Sequence, residues 1–332
     1  MARLISLIIA ALLTLLALFL PPLPFPVKTY HFVFMLDITR SMNVQDYSDP
    51  DGGAISRLER GKEAMLAAAR SLPCGSQIGL GVFTERSPAL LYSPIDVCAD
   101  YPILEASIQQ LDWRMAWVAD SNISQALYNT LDLMSNRVLD GNKLVFFTDG
   151  HEAPPVNPRY APDYSDLEIL EDKPEDWRSG LIVGVGQHSK SKIPKFDEDG
   201  VQIGFYTAED VPHASRFGLP EDPSKIEGYI PRNGPWGTAT VVGTEHLSNV
   251  REDYLKKLAD QTRMHYHHLQ DNAGLIEALK APAFAERQIQ ATRLNVIAAV
   301  LALLLLIYCY HPFRPKWPRK TWSHSKLQKQ TQ

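Results

Sequence analysis

The 332-residue chain has few of the signatures that announce catalysis. It contains no G-x-S-x-G elbow, no glycine-rich phosphate loop and no H-E-x-x-H helix, so the familiar hydrolase, nucleotide-binding and zinc-protease motifs are missing. It has no excess of positive charge: 33 Lys and Arg stand against 38 Asp and Glu, which argues against a nucleic-acid surface. No internal repeat or low-complexity tract stands out. Cysteine is scarce, with only Cys74, Cys98 and Cys309, too few for a disulfide scaffold. Cys74 and Cys98 are the two outside the terminal apolar segments. Two readings stay open for them, a bridge in an oxidising compartment or a pair of free thiols, because sequence does not show whether their Cβ atoms approach to the ~4 Å required.

Formal charge is also absent from two stretches at the ends. Residues 4–20 (LISLIIAALLTLLALFL) and 294–310 (LNVIAAVLALLLLIYCY) are each 17 residues long, at the short limit for crossing a hydrocarbon core of ~30 Å. The first exceeds a signal-peptide core and runs into PPLPFP rather than a small-residue cleavage site, so it is expected to stay as an anchor. After the second, Arg314, Lys316, Arg319, Lys320, Lys326 and Lys329 appear without an acid. Taking these six and Arg3 from the 33 basic residues leaves 26 against 38 acidic ones, so residues 28–294 carry a formal charge of −12. Basic flanks stay on the cytoplasmic side. The expected layout is an anchor at 1–27, an outer domain at 28–285, a second span at 286–311 and a basic tail at 312–332. In a bacterium this puts both termini in the cytoplasm and the domain in the periplasm, on the inner membrane.

Within the outer domain, strands and helices alternate. The run at 30–36 (YHFVFML) is continuously apolar, as in a strand buried on both faces. Residues 57–72 carry helix formers with apolar positions at helical spacing. Strands are expected at 77–84 and 90–92, and a helix at 121–137 capped by Asp120 or Ser121. Buried strands follow at 143–148 and 181–185, a helix at 252–262, a strand at 265–268 and a helix at 273–279. This order predicts an α/β fold, a doubly wound, mostly parallel sheet covered on both sides. Ligands of such sheets sit beyond the carboxyl ends of the strands. Residues 150–178 and 187–246, rich in Pro, Gly and acid, read as surface insertions, the second a candidate partner surface. A hairpin is expected at 195–206, turning at Glu198-Asp199-Gly200.

Three strand ends carry oxygen ligands. Asp37-Ile38-Thr39-Arg40-Ser41 follows the first buried strand, Asp120-Ser121-Asn122 precedes the helix at 121, and Thr148-Asp149-Gly150 ends the strand at 143–148. One carboxylate with two hydroxyls and water suits Mg²⁺, a hard octahedral cation; Mn²⁺ and Ca²⁺ remain alternatives. The strings DITRS, SNISQAL and LVFFTDG resemble the D-x-S-x-S, T-N-I-x-x-A-L and T-D-G elements of von Willebrand factor A-type (vWA) domains with a metal-ion-dependent adhesion site. The resemblance implies Asp37, Thr39, Ser41, Ser121 and Asp149 as metal ligands. Thr39 stands where the family usually has Ser, and Ser121 where it has Thr; both swaps keep the hydroxyl. A wider resemblance rests on SMNVQDY, SRLERGKEAM, LPCGSQIGLGVFTE, TDGHEAPPVNPRY, IPKFDEDGVQIGF and GTEHLSNVREDYLKKLADQT. These segments are similar to the MxaL-type vWA accessory proteins encoded with methanol dehydrogenase. Those around 193–206 and 245–266 are also similar to the Bat aerotolerance proteins. The implied partners are methanol dehydrogenase components, other vWA proteins and a MoxR-type AAA+ ATPase, and the implied role is assembly or metallation of a periplasmic enzyme.

Other clusters carry less. His265, His267 and His268 alternate across a strand, which splits them between faces. Asp49, Asp51 and Gly52 read as a solvated turn, lacking the spacing of a calcium loop. His151 and Glu152 either tune the proposed ion from behind or cap a helix. The expected mechanism is non-enzymatic: the ion keeps one position open, and a partner carboxylate fills it. A metal-dependent hydrolase using the same ion, and a Bat-like membrane scaffold, are the competing readings.

Overall fold

In the computed structural model, the described residues are 2–21, 23–116, 120–154, 161–171, 173–174, 177–211, 244–292 and 295–310. They fall into two compact units, Lys28–Gln288 and the two chain ends.

The larger unit is built on a six-stranded sheet. Its strands are β2 (His31–Asp37), β5 (Gln77–Thr84), β6 (Ser87–Asp96), β7 (Lys143–Thr148), β8 (Gly180–Gly184) and β13 (Met264–His268), in the order β13-β8-β7-β2-β5-β6. All neighbours are parallel except β6, which runs antiparallel to β5 along the outer edge. That strand contains Pro88 and Pro94, which have no N–H to offer a ladder. Alternate residues supply the two cores. Phe32, Phe34 and Leu36 of β2, with Val145 and Phe147 of β7, face α2 (Arg57–Ser71), α3 (Tyr101–Gln109) and α6 (Asn272–Leu279). Val33 and Met35, with Leu144 and Phe146, face α4 (Ile123–Met134) and α5 (Glu252–Gln261). A strand sandwiched in this way must be apolar at every position, which explains the unbroken run at 30–36. Phe83 stacks on Phe146 at 4.5 Å between centroids, and Phe34 meets Phe147 edge-on at 5.7 Å. Such pairs add about 1 kcal/mol each beyond burial.

The other described strands pair as two-stranded ribbons: β1 (Leu23–Thr29) with β14 (Glu286–Thr292), β3 (Tyr47–Ser48) with β4 (Ala54–Ile55), β9 (Ser191–Lys192) with β12 (Leu247–Ser248), and β10 (Pro194–Phe196) with β11 (Gln202–Phe205). The β10–β11 hairpin turns through Gly200, at φ +81°, where sequence places it. The β9–β12 pair closes the base of the second insertion, whose residues 212–243 lie outside the described residues. Asp49, Asp51 and Gly52 form the exposed turn between β3 and β4, with Asp49 accepting from the amide of Gly53. Cys74 and Cys98 are disulfide-bonded and tie the loop before β5 to the segment after β6.

Three expectations need correction. Helix α4 begins at Ile123, not 121, because Ser121 is held extended in bridges to Glu85 and Ala153; Asn122 is the cap, accepting from the amide of Gln125 at 3.1 Å. Residues 286–292 form strand β14 rather than the start of a span: ERQIQAT is too polar for a helix in lipid. The apolar ends do fold as helices, α1 (Ala2–Phe19) and α7 (Asn295–Tyr310), of 18 and 16 residues. At 1.5 Å per residue they reach about 27 and 24 Å, and no described helix is long and apolar enough to cross a membrane. Within their unit, small or compact residues Ala10, Ala298, Ala302 and Cys309 are buried, while Leu4, Leu12, Leu18, Val296, Leu303 and Ile307 stay exposed. The basic tail at 312–332 lies outside the described residues.

Gly180 opens β8 opposite Leu144, and a Cβ built on it would sit 1.8 Å from the carbonyl oxygen of Leu144. Backbone cannot yield there without breaking the β7–β8 pairing. Gly180→Ala is expected to cost about 3 kcal/mol or more of stability, read as a lowered midpoint in urea unfolding.

Candidate metal centre

The carboxyl ends of the parallel strands bring Asp37, Thr84, Thr148, Gly184 and His268 to one rim. Strand β2 lies between β5 and β7, and the chain crosses to β5 first and to β7 later, so the rim above β2 is the switch point of the sheet. Asp37 stands there, fully buried. Its Oδ1 accepts from the amide of Thr39 at 2.8 Å, and its Oδ2 from the hydroxyl of Thr148 at 2.6 Å. The chain then makes a short 3₁₀ turn at Arg40–Asn43 that folds back over the strand end. The turn buries Thr39 and Ser41 and sets their hydroxyl oxygens 3.4 Å apart.

Asp149, also fully buried, follows Thr148. Its Oδ1 accepts from the amide of His151 at 2.9 Å. Its Oδ2 accepts from Arg57 at 2.6 Å and from the hydroxyl of Ser248 at 2.8 Å. Arg57, at the first position of α2, is buried completely and reaches Asp46 with the rest of its guanidinium, at 2.7 Å from Nη2 and 3.0 Å from Nε. Gly186 makes room for it: at φ +127°, a Cβ there would lie 2.7 Å from Nε of Arg57.

Ser121 enters from the loop before α4, tied by its bridge to Glu85 just beyond the end of β5. Its hydroxyl donates to the carbonyl of His151 at 2.7 Å, which leaves its oxygen lone pairs free to accept. The structure therefore joins Asp37, Thr39 and Ser41 directly. It links Asp37 to the Asp149 strand through Thr148, and Ser121 to Asp149 through His151.

The charges divide unevenly. Burial, and next the charge of Asp149, push the carboxyl of Asp37 up to about 7; its hydrogen bonds with Thr148 and Thr39 only partly offset this. Burial also works against ionised Asp149, yet Arg57, His151 and Ser248 hold it below the ordinary carboxylate range. The guanidinium is thus shared between Asp46 and Asp149, while the hydrogen bonds of Asp37 come from neutral donors. A buried carboxylate beside two hydroxyls, with an anion as neighbour, is a donor set that a hard divalent cation would complete. In that sense the residues fit the metal.

His151 and Glu152 take different parts. His151 points Nε2 at the carbonyl of Glu245, 3.0 Å away, so that nitrogen carries the proton and the buried Nδ1 is left without a hydrogen-bond partner. Burial lowers its pKa. Glu152 caps α4, accepting from the amides of Ile123 and Ser124 and from the hydroxyl of Tyr254 at 2.6 Å. Burial pushes it up to about 7. His265, His267 and His268 do not gather: His265 packs edge-on against Phe284, His267 lies against Gly274 of α6, and His268 turns to the carbonyl of Gly186. Sequence reasoning missed Arg57, Asp46 and Ser248. One signal was there for Arg57: a cation in the first turn of a helix opposes the macrodipole and so calls for a compensating anion.

The rim thus defines a doubly wound α/β domain whose loops enclose a carboxylate–hydroxyl centre. The family model of the von Willebrand factor type A domain matches residues 32–151, from β2 through His151, so that segment is similar to a vWA domain. Among solved structures, the chain is similar to an aerotolerance-related membrane protein from Bacteroides fragilis, at 15% identity and a TM-score of 0.46, over 75% of this chain and 96% of that one. It is similar to BatB from Bacteroides thetaiotaomicron at 15% identity and a TM-score of 0.47, over 75% and 95%. A membrane-spanning protein from Vibrio fischeri matches at 15% identity and a TM-score of 0.27, over 76% and 100%. No curated protein sequence matches the chain.

Removing Arg57 strands two carboxylates whose side chains are 6% and 0% exposed. Arg57→Ala is expected to destabilise by about 3–5 kcal/mol. Adding Asp149→Asn should restore part of that loss, read by urea unfolding as a double-mutant cycle.

Proposed function

We propose that this chain is a membrane-tethered vWA domain that binds a divalent cation at Asp37, Thr39, Ser41, Ser121 and Asp149 and through it grips an acidic group of a partner protein. The carrying observation is the buried Asp37, which faces Asp149 yet takes its hydrogen bonds from neutral donors. Asp37, Thr39 and Ser41 form the nearest group of oxygens. Asp149, held by Arg57, His151 and Ser248, adds charge from behind. Ser121 presents a hydroxyl oxygen whose proton is already given to His151. The donor set is all oxygen, which favours Mg²⁺, with Mn²⁺ and Ca²⁺ as the other hard candidates. Once bound, such an ion supplies a positive charge to a carboxylate that a body of formal charge −12 would otherwise repel.

Tethering rests on the terminal helices. Both expose large apolar side chains along their length, which water does not favour and a lipid phase does. The acid-free basic tail supports a reading with the chain ends on the cytoplasmic side, which makes the periplasm the compartment to test for the vWA domain. Resemblance to MxaL-type proteins makes a periplasmic enzyme under assembly, such as methanol dehydrogenase, with a MoxR-type ATPase, the first partner to test; a Bat-like role is the alternative.

Mg²⁺ must displace the proton that Asp37 holds below a pKa of about 7. Its affinity should therefore strengthen about tenfold between pH 6 and pH 8. The sign for folding is the opposite. Because the folded pKa is raised from 3.8 to about 7, the contribution of Asp37 to metal-free stability is fully present below 3.8 and is lost as the pH rises through 7. Saturating Mg²⁺, which keeps Asp37 ionised, should remove that slope between about pH 5 and pH 7. Calorimetric titration and thermal unfolding across this range read both effects. Asp37→Ala should abolish Mg²⁺ binding and partner capture in pull-downs; capture that survives both this change and EDTA would rule the reading out.

A further inference from the structure

His188, Glu252 and His268 each offer one ligand atom, and these atoms lie within 4.8 Å of one another. They come from three separate places in the chain. His188 lies in the loop after β8, Glu252 is the first residue of α5, and His268 is the last residue of β13, paired with Gly184. None belongs to the Asp37 centre.

The spacing of one edge is already that of a metal site. His188 Nε2 and Glu252 Oε2 are 3.4 Å apart. Two ligands each ~2.1 Å from a tetrahedral ion are themselves about 3.4 Å apart. The second imidazole is oriented as well. His268 Nε2 lies 2.8 Å from the carbonyl of Gly186, a pure acceptor, so Nε2 carries the proton and Nδ1 keeps its lone pair. Metal-bound histidines are held in this manner, the far N–H given to a carbonyl so that tautomer and ring plane are set. The carboxylate is braced in turn: Lys256, one turn along α5, donates to Glu252 Oε1 at 2.7 Å and leaves Oε2 toward His188. The two rings stand 4.9 Å apart at 56°, tilted rather than stacked. A plain surface ion pair accounts for His188 with Glu252, but not for His268 beside them.

The geometry points to a second metal site, in which His188, Glu252 and His268 hold a first-row transition-metal dication, Zn²⁺ foremost, with the remaining position open to water or a ligand. Two imidazoles and a carboxylate suit Zn²⁺, whereas the all-oxygen set at Asp37 suits Mg²⁺. The two centres are therefore separable by the ion used.

The test is calorimetric titration of the full-length chain in detergent with Zn²⁺ alone. Wild type should bind one ion with saturation. His188→Ala should lose that binding, as this side chain is mostly exposed and its removal leaves the packing in place. His268→Ala should lose it too, and Glu252→Gln should weaken it at least about tenfold. Asp37→Ala should retain it, and Mg²⁺ binding should persist in His188→Ala, so failure of this site and failure of the Asp37 centre are told apart. Zn²⁺ binding that is absent, that survives in His188→Ala with unchanged affinity, or that disappears in Asp37→Ala overturns the assignment.

Discussion

One buried guanidinium organises the rim of this sheet. Arg57 lies between Asp46 and Asp149, and its pairing with them settles which carboxylates are neutralised by the protein itself. Breaking such a pair is costly because the surviving charge remains out of water. Asp46 also accepts from the amide of Gln187, and Ser248 joins the group through Asp149 and Arg57. The start of α2, the end of β7, the loop after β8 and the return of the second insertion are thereby fastened together. Asp37 and Glu152 are left outside that arrangement with neutral donors alone, and of the two it is Asp37 that has the hydroxyls of Thr39 and Ser41 beside it.

The α/β frame was largely legible because buried strands and amphipathic helices leave different periodicities. β5 and β7 fall where the apolar runs place them, and β2 is displaced by a single residue. What was not legible depends on contacts between distant segments. The start of α4 shifted because Ser121 pairs with Glu85 and Ala153, neither of which is adjacent to it in sequence. Helix α3 escaped notice: YPILEASIQ is short, and only Leu104 and Ile108 are buried in it. The rim shows the same division. Asp37, Thr39 and Ser41 could be read from local spacing, because one turn of chain sets them together. Arg57 is 92 residues from Asp149, and Ser248 is 99.

The histidines separate as strand alternation predicts, but alternation alone does not show what each one meets. Grouping His265, His267 and His268 by their closeness in sequence joins side chains that the strand sends to different neighbours. The register with β8 decides instead: His268 ends level with Gly184 and so meets the loop that carries His188. Gly186 serves both sides of that loop. Its lack of a side chain admits Arg57, its amide donates to the hydroxyl of Tyr47, and its carbonyl orients His268.

The prolines of β6 bear on how anything could hold this domain. An outermost strand usually presents a row of free amides on which a visiting chain can lay itself as one more strand. Pro88 and Pro94 interrupt that row. Edge pairing along this flank is thereby disfavoured. The opposite edge of the sheet, β13 (Met264–His268), carries no proline, so the two flanks differ in what they offer a visiting strand.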